Sequence, residues 1–318
     1  MLATLVAIAA LSADLLYQRD SVLDPTGRLV VPRGGALSVV DLGAGTVRQI
    51  TAGVSGDNVT AAAWSPDRSK IYFAVFHRRQ GDPVGSSEIY AAEIVGGATM
   101  AVVERQRPGD VFDGPVALQD AESLLVTFQG TVNRASVSRV ERVDLGDRRR
   151  VSLFEDAAQP TVSPDGSVVA VVTDGPQGPG LGVGPISGGD VQEIVSAGTF
   201  KLVAGPRFSP TDDRIAFTAV GGPAGVRSAG AAWPLSVFET PIAFAHGEPW
   251  RVWTVRPNGS DLASVGTFQE DEPLLSWSPD GDWLAVMGTG GLWLVRPDGK
   301  REPMRIGEGG YGALDWAR

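Results

Sequence analysis

The sequence predicts an all-β fold, a six-bladed β-propeller built from four-stranded antiparallel blades. Three observations lead there: a turn-rich but apolar composition, a Ser-Pro-Asp type of turn that recurs at blade spacing, and a second tight turn inside each repeat. Of the 318 residues, 41 are Gly and 22 are Pro, about a fifth of the chain against a usual ~12%. Collagen periodicity is absent, and with 43% hydrophobic residues the chain is too apolar to be disordered. Many short strands joined by turns are therefore expected.

The repeats can be aligned on their turns. Ala63-Trp64-Ser65-Pro66-Asp67, Val162-Ser163-Pro164-Asp165-Gly166, Phe208-Ser209-Pro210-Thr211 and Trp277-Ser278-Pro279-Asp280-Gly281 each follow a small or apolar run and precede an apolar strand. Two degenerate copies are Pro115 to Asp120 before Leu124-Leu125-Val126, and Asp24-Pro25-Thr26-Gly27 before Leu29-Val30-Val31. Taking the residue after the proline, or its equivalent, as a ruler gives positions 26, 67, 120, 165, 211 and 280. The intervals of 41, 53, 45, 46 and 69 residues are those of a supersecondary unit that buries its faces by stacking on its neighbours.

Within each repeat a second turn is visible, as in Arg296-Pro297-Asp298-Gly299, Arg256-Pro257-Asn258-Gly259, Ser187-Gly188-Gly189 and Gly96-Gly97. Proline presets φ at the first central position and glycine accepts a positive φ. Together with the apolar run before the Ser-Pro-Asp turn, this gives four strands per blade. The final segment Gly312 to Arg318 matches the strand that precedes such a turn, with Trp316 in the register of Trp64 and Trp277. A composite blade is expected, its innermost strand from the C-terminus and the rest from residues 28 to 51. In the alternative, Leu15 to Leu23 supply that strand and the C-terminus is a cap.

These turns and the apolar strands after them resemble the bacterial TolB-type propeller with WD40-like PD40 repeats. The resemblance covers about residues 20 to 318, and implies a six-bladed, often exported, protein-binding module. The degenerate Pro115–Asp120 repeat departs from the pattern, and no separate N-terminal domain of the TolB kind is apparent. Because the same blades occur in scaffolds and as gating domains of peptidases, the motif speaks for architecture more than for function.

Residues 1 to 13 form an apolar and small-residue run, too short to span a bilayer, which needs about 20 residues. It resembles the hydrophobic and cleavage regions of a secretory signal, without the basic start, or else a short helix packed on the domain. Residues 14 to 318 then form a single propeller domain in an exported, periplasmic or membrane-associated protein. A net charge of −10 speaks against nucleic-acid or anionic-lipid partners. The lack of Cys excludes disulfides and thiolate chemistry, and two His exclude an all-histidine metal site.

Connectivity puts the loops between second and third strands, and between blades, on one face, and the Ser-Pro-Asp turns on the other. The first face is expected to collect the irregular loops 77 to 87, 129 to 136, 174 to 180 and an insertion at 221 to 249. That insertion reads either as a lid over the channel mouth or as a packed excursion on the blade edge; its Trp233, with Trp250 after it, is a candidate for partner contact. Asp57, Asp113, Asp156, Asp271 and Glu308 lie at blade junctions near the axis, with Asp110, Glu155, Glu270 and Glu272 beside them. They read as a ring attracting a basic peptide or a divalent cation such as calcium in the central channel, or as solvated turn formers and partners for Arg.

His77 and His246 are expected in solvent-exposed loops, each with a carboxylate nearby in sequence. No Gly-x-Ser-x-Gly nucleophile elbow is present, and the Gly175–Gly180 stretch lacks the Lys-Ser/Thr of a phosphate loop. The expectation is a non-catalytic module that binds another envelope protein through its loop-rich face and needs no cofactor. The alternatives are a divalent-metal hydrolase or lactonase with a channel site, and a structural subunit of an envelope assembly.

Overall fold

Full Ser-Pro-Asp turns stand in three of the repeats, at Ser65, Ser163 and Ser278, and their hydrogen bonds explain why the motif recurs. In a computed structural model that describes residues 25–51, 57–78, 85–226, 248–268, 270–299 and 301–318, Ser65 Oγ donates to Asp67 Oδ1 at 2.6 Å and accepts from the Lys70 amide at 3.0 Å. Ser163 with Asp165 and Val168, and Ser278 with Asp280 and Trp283, repeat the pattern. The position after the aspartate (Arg68, Gly166 or Gly281) has a φ between 61° and 74°. Hydroxyl and amide donors hold the exposed Asp67 and Asp165 carboxyls down at about 2.

The chain forms six four-stranded antiparallel sheets. Blade 1 contains β1 (Arg28–Arg33), β2 (Ala36–Asp41) and β3 (Thr46–Gln49), with β24 (Asp315–Ala317) on its inner edge. Blade 2 is β4 (Asp57–Trp64), β5 (Lys70–His77), β6 (Ser86–Glu93) and β7 (Thr99–Val103). Blade 3 is β8 (Val111–Ala117), β9 (Ser123–Val132), β10 (Ala135–Asp144) and β11 (Arg150–Glu155). Blade 4 is β12 (Ala157–Val162), β13 (Val168–Gly175), β14 (Gly178–Pro185) and β15 (Gln192–Val195). Blade 5 is β16 (Leu202–Phe208), β17 (Ile215–Val220), β18 (Trp250–Val255) and β19 (Ala263–Phe268). Blade 6 is β20 (Leu274–Trp277), β21 (Leu284–Met287), β22 (Leu292–Val295) and β23 (Met304–Gly307).

The ring closes through the composite blade. Leu29 pairs with Trp316 and Val30 with Asp315, while the other edge of β1 pairs with β2. Both edges of β1 are thus occupied, which overturns the alternative that gives its inner partner to Leu15–Leu23. Trp316 Nε1 donates to the Thr26 carbonyl at 3.0 Å, fastening the last strand to the turn before β1.

Each of the six blade junctions holds an apolar cluster. Trp283, Met287 and Leu292 meet Leu29, Val31 and Leu314 between blades 6 and 1. Phe112, Leu124 and Phe128 meet Ile89 and Tyr72 between blades 3 and 2, and Phe200 and Phe217 meet Leu181 between blades 5 and 4. Comparable clusters fill the other junctions. Fully burying one such side chain contributes about 1.5–3 kcal/mol, so stability resides between the blades as much as within them.

Two of the expected loops are not irregular. β9 and β10 continue into a tight hairpin whose central Asn133 and Arg134 have φ of 50° and 68°, a turn that matches strand twist. β13 and β14 likewise pair as far as Gly175 and Gly178. The strands in blades 3 and 4 therefore absorb most of 129–136 and 174–180. Most of the 221–249 insertion, including Trp233 and His246, lies outside the described residues, as do residues 1 to 24.

Candidate functional site

The innermost strands run from the loop-rich face to the Ser-Pro-Asp turns, so one residue from each blade reaches the axis just before its turn. These are Asp315, Ala63, Val116, Thr161, Arg207 and Ser276 in blades 1 to 6, and all six line a cavity of about 310 Å³. Blades 2 and 3 give it an apolar arc, and blades 4, 5, 6 and 1 a polar one. Pro164, Pro210 and Pro279 of the turns, with Trp64, Phe208 and Trp277, wall its outer part. The cavity therefore belongs to the Ser-Pro-Asp face, not to the loop-rich face. A groove of about 370 Å³ between blades 4 and 5 shares Pro164, Phe208 and Pro210 with it and runs out to Asp165, Asp212 and Asp213.

The inner strands are shaped for this by bulges. Register shifts fall between Asp113 and Val116, Ala158 and Thr161, and Ala204 and Arg207. At each stands a left-handed residue before a proline: Gly114 (φ 56°), Gln159 (52°) and Gly205 (58°). An extra residue kinks the strand and re-aims the side chains beyond it, here Thr161 and Arg207. The Gln159 side chain accepts the Gly205 amide at 2.6 Å, and the Gln159 amide donates to Thr127 Oγ1 at 2.8 Å. Three blades are thereby tied together below the cavity.

Three charges near the axis act on one another through space. Asp315 accepts from the Trp64 amide (2.9 Å), its neighbour's Trp316 amide (2.9 Å) and Ser276 Oγ (3.3 Å). Asp113 accepts from Thr60 Oγ1 at 2.9 Å and from the Gly114 amide. Burial pushes both carboxyls up, against those bonds and the Arg207 charge. Arg207 is pushed down by burial, against the pull of Asp315 and Asp113. Its Nη1 donates to the Pro206 carbonyl at 2.9 Å, and its own carbonyl accepts Trp277 Nε1 at 3.0 Å.

The predicted acidic ring is dispersed. Asp113 is the one candidate that joins the axial charges. Asp57 pairs with His77 at 2.9 Å, and Glu308 is exposed beside Arg305 at 3.5 Å. Asp156 is exposed at a left-handed turn position, and Asp271 is half-buried. Of their neighbours, Asp110 caps the Gln106 and Arg107 amides, and Glu270 accepts from the Gly290 amide and Trp293 Nε1. Among the described residues no three His or acidic side chains gather into a metal-holding group. Asp57, Glu308, Asp110 and Glu270 serve as separate turn and pairing devices.

Two placements correct the sequence reading. Trp250 is 2% exposed and packs on Ala204 and Val220, so it is core and not a contact surface. His77 ends β5 and is buried, between Asp57 and Glu88 (3.6 Å) with Tyr90 edge-on. Arg207 and Asp315 escaped the sequence reading, though a signal was there: they are the charged members of an otherwise small or apolar inner-strand register, seen in Arg207-Phe208, Ser276-Trp277 and Asp315-Trp316.

No family model and no curated protein matches the chain. Solved structures do. TolB from Acinetobacter baumannii superposes with a TM-score of 0.67 at 18% identity, over 92% of this chain and 66% of that one. The chain thus spans just under two thirds of that protein. A structure of a nidogen/laminin complex matches at 0.64 and 11% identity, over 92% of this chain and 98% of that one. Oligogalacturonate lyase from Vibrio parahaemolyticus matches at 0.52 and 12% identity, over 93% and 78%. At such identities the likeness is one of fold, and that fold is a TolB-like six-bladed β-propeller.

Proposed function

We propose that the chain is a non-catalytic, protein-binding propeller module that works outside the cytoplasm and takes an exposed segment of its partner into the axial cavity on the Ser-Pro-Asp face. The observation that carries this reading is the cavity itself: an apolar arc, a polar arc with Arg207 and Asp315, and a Pro and Trp wall continuous with a side groove. Concave sites of this size with a few convergent polar groups suit a short peptide segment. The likeness in fold to TolB and to a structure of a nidogen/laminin complex supports a protein-binding role. The dispersal of the acids favours this over a metal-dependent hydrolase, and the reading assigns no cofactor.

The apolar run at residues 1 to 13 supports export or tethering, with residues 14 to 318 as the propeller unit. Among the described residues no helix is long and apolar enough to cross a membrane. One feature favours a second contact on the loop-rich face, where Tyr311 is 70% exposed in the connection from blade 6 to blade 1. The test is affinity capture from a membrane extract of the source organism with the full chain and with Val116→Trp, which fills the cavity. A partner held by the first and lost by the second is expected. Equal capture by a folded Val116→Trp protein moves the contact elsewhere.

A further inference from the structure

Arg207 presents a donor fork whose needs its own protein leaves unmet. A guanidinium carries five N–H donors and no acceptor. Among the described residues the acceptor it meets is the Pro206 carbonyl. The two neighbouring carboxylates act on it through space, while their oxygens receive bonds from elsewhere: Asp315 from Trp64, Trp316 and Ser276, Asp113 from Thr60 and Gly114. Arg207 stands in the middle of the polar arc, between Thr161 and Ser276, and faces the cavity.

Charge then decides what the fork takes. One guanidinium lies among two carboxyls, so the ionised set is already net negative. A ligand carboxylate would add a further negative charge beside Asp315 and Asp113, where like charges repel. A carbonyl oxygen accepts the same donors and adds no charge. We propose that Arg207 is the recognition fork for uncharged carbonyl oxygens, so that the cavity takes a neutral peptide or carboxamide group and discriminates against a free carboxylate. The proposal rests on the reading of this cavity as the binding site and names the chemistry it selects. The apolar arc of Ala63 and Val116 lies across the axis from Arg207, which suits a ligand with one polar and one apolar edge.

The test titrates the full chain with N-acetyl-L-phenylalanine amide and, separately, with N-acetyl-L-phenylalanine as the free acid, following the Arg207 Nε–H resonance by NMR. The amide is expected to shift it saturably with a Kd of about 1–10 mM, and the acid at neutral pH to bind about ten-fold more weakly. Arg207→Lys, followed instead through the Trp277 indole N–H resonance at the cavity wall, keeps the charge but loses the planar fork, and is expected to weaken the amide about ten-fold without changing the preference for it over the acid. Acid binding as tight as amide binding, or an amide that leaves the Arg207 resonance unshifted at about 50 mM, overturns the proposal. The amide and acid comparison decides even where the variant does not fold. Capture by Val116→Trp is separate: a partner lost there with no amide preference sinks the proposal and leaves the binding site standing, whereas an amide preference with capture unchanged sinks the site as the place of partner binding.

Discussion

The Asp315 carboxylate accepts a hydrogen bond from the backbone amide of Trp64 at 2.9 Å, across 251 positions of sequence. The last strand therefore closes the composite blade and also latches onto blade 2, while its Oδ1 side reaches blade 6 through Ser276. A parallel bridge between Ala61 and Ala313 reinforces the latch, with the Ala62 amide on the Ala313 carbonyl and the Ala313 amide on the Thr60 carbonyl, each at 2.9 Å. Replacing Asp315 with Ala strands the Trp64 amide and the Ser276 hydroxyl, while the Trp316 amide keeps Ser276 Oγ at 3.2 Å. The expected cost is about 2–4 kcal/mol in urea unfolding, with Asp315→Asn costing less because one acceptor remains. Equal stability of Asp315→Ala and wild type would show that the latch is dispensable.

Acidification should act on stability in two opposed stages. Asp113, Asp315 and Glu270 are held above the ordinary carboxyl value by burial, so the folded state takes up their protons before the unfolded state does. As pH falls through those raised values, their contribution to folding becomes more favourable. Asp67 and Asp165, held at about 2 by their turn serines, run the other way. Their contribution is fully present above the unfolded value of about 4 and is lost as pH falls toward 2. The expected profile from pH 7 to 2 is a plateau or slight rise followed by a steep loss. The Asp67→Asn, Asp165→Asn double variant should flatten the last part, as thermal melts across the range would reveal.

Much of the architecture was legible because the turn chemistry is local. Ser65 and Asp67 satisfy the amides of their own turn, so the motif can be read without knowing what surrounds it. Trp316 was readable for the same reason, since its register repeats that of Trp64 and Trp277. The axial site depends on what six separate blades bring together, and no local pattern announces it. Asp113 sits in sequence among the junction acids, yet it acts on Arg207's charge from the next-but-one blade. His77 looked like a loop residue because Arg78 and Arg79 follow it, whereas β5 runs one position further and carries the ring into the blade.

That placement of His77 has its own consequence. Its Nδ1 lies 2.9 Å from Asp57, and its Nε2 faces Glu88, which also accepts from Tyr90 at 2.9 Å. The ring separates two carboxylates at the junction of β4, β5 and β6. His77→Ala would leave Asp57 without its partner and Glu88 with Arg105 at 3.7 Å as its remaining cation, at an expected cost of about 1–3 kcal/mol. His77→Gln, which still donates to Asp57, should recover part of it. Partner capture by the folded variants should be unchanged, since the residue lies away from the axial cavity. A loss of capture with stability intact would instead mark the loop-rich face as the contact.

The bulge before Arg207 gives a sharper handle on the cavity. Gly205 has a φ of 58°, and a Cβ placed there would stand 2.8 Å from the Leu274 Cδ2 of blade 6. Its amide is also the donor that Gln159 holds. Gly205→Val meets both the left-handed backbone, which β-branched residues resist, and a crowded neighbour. It should cost about 2–3 kcal/mol and displace Arg207 from the axis. Gly45, with a φ of 65° and no atom within 4 Å of an added Cβ, is the matched control; Gly45→Ala carries the backbone penalty alone, about 1 kcal/mol. If the cavity is built by the bulge, the Arg207 Nε–H resonance moves in Gly205→Val and stays in Gly45→Ala; an unmoved resonance in the first would mean that Arg207 is positioned by the Asp113 and Asp315 charges and not by the strand beneath it.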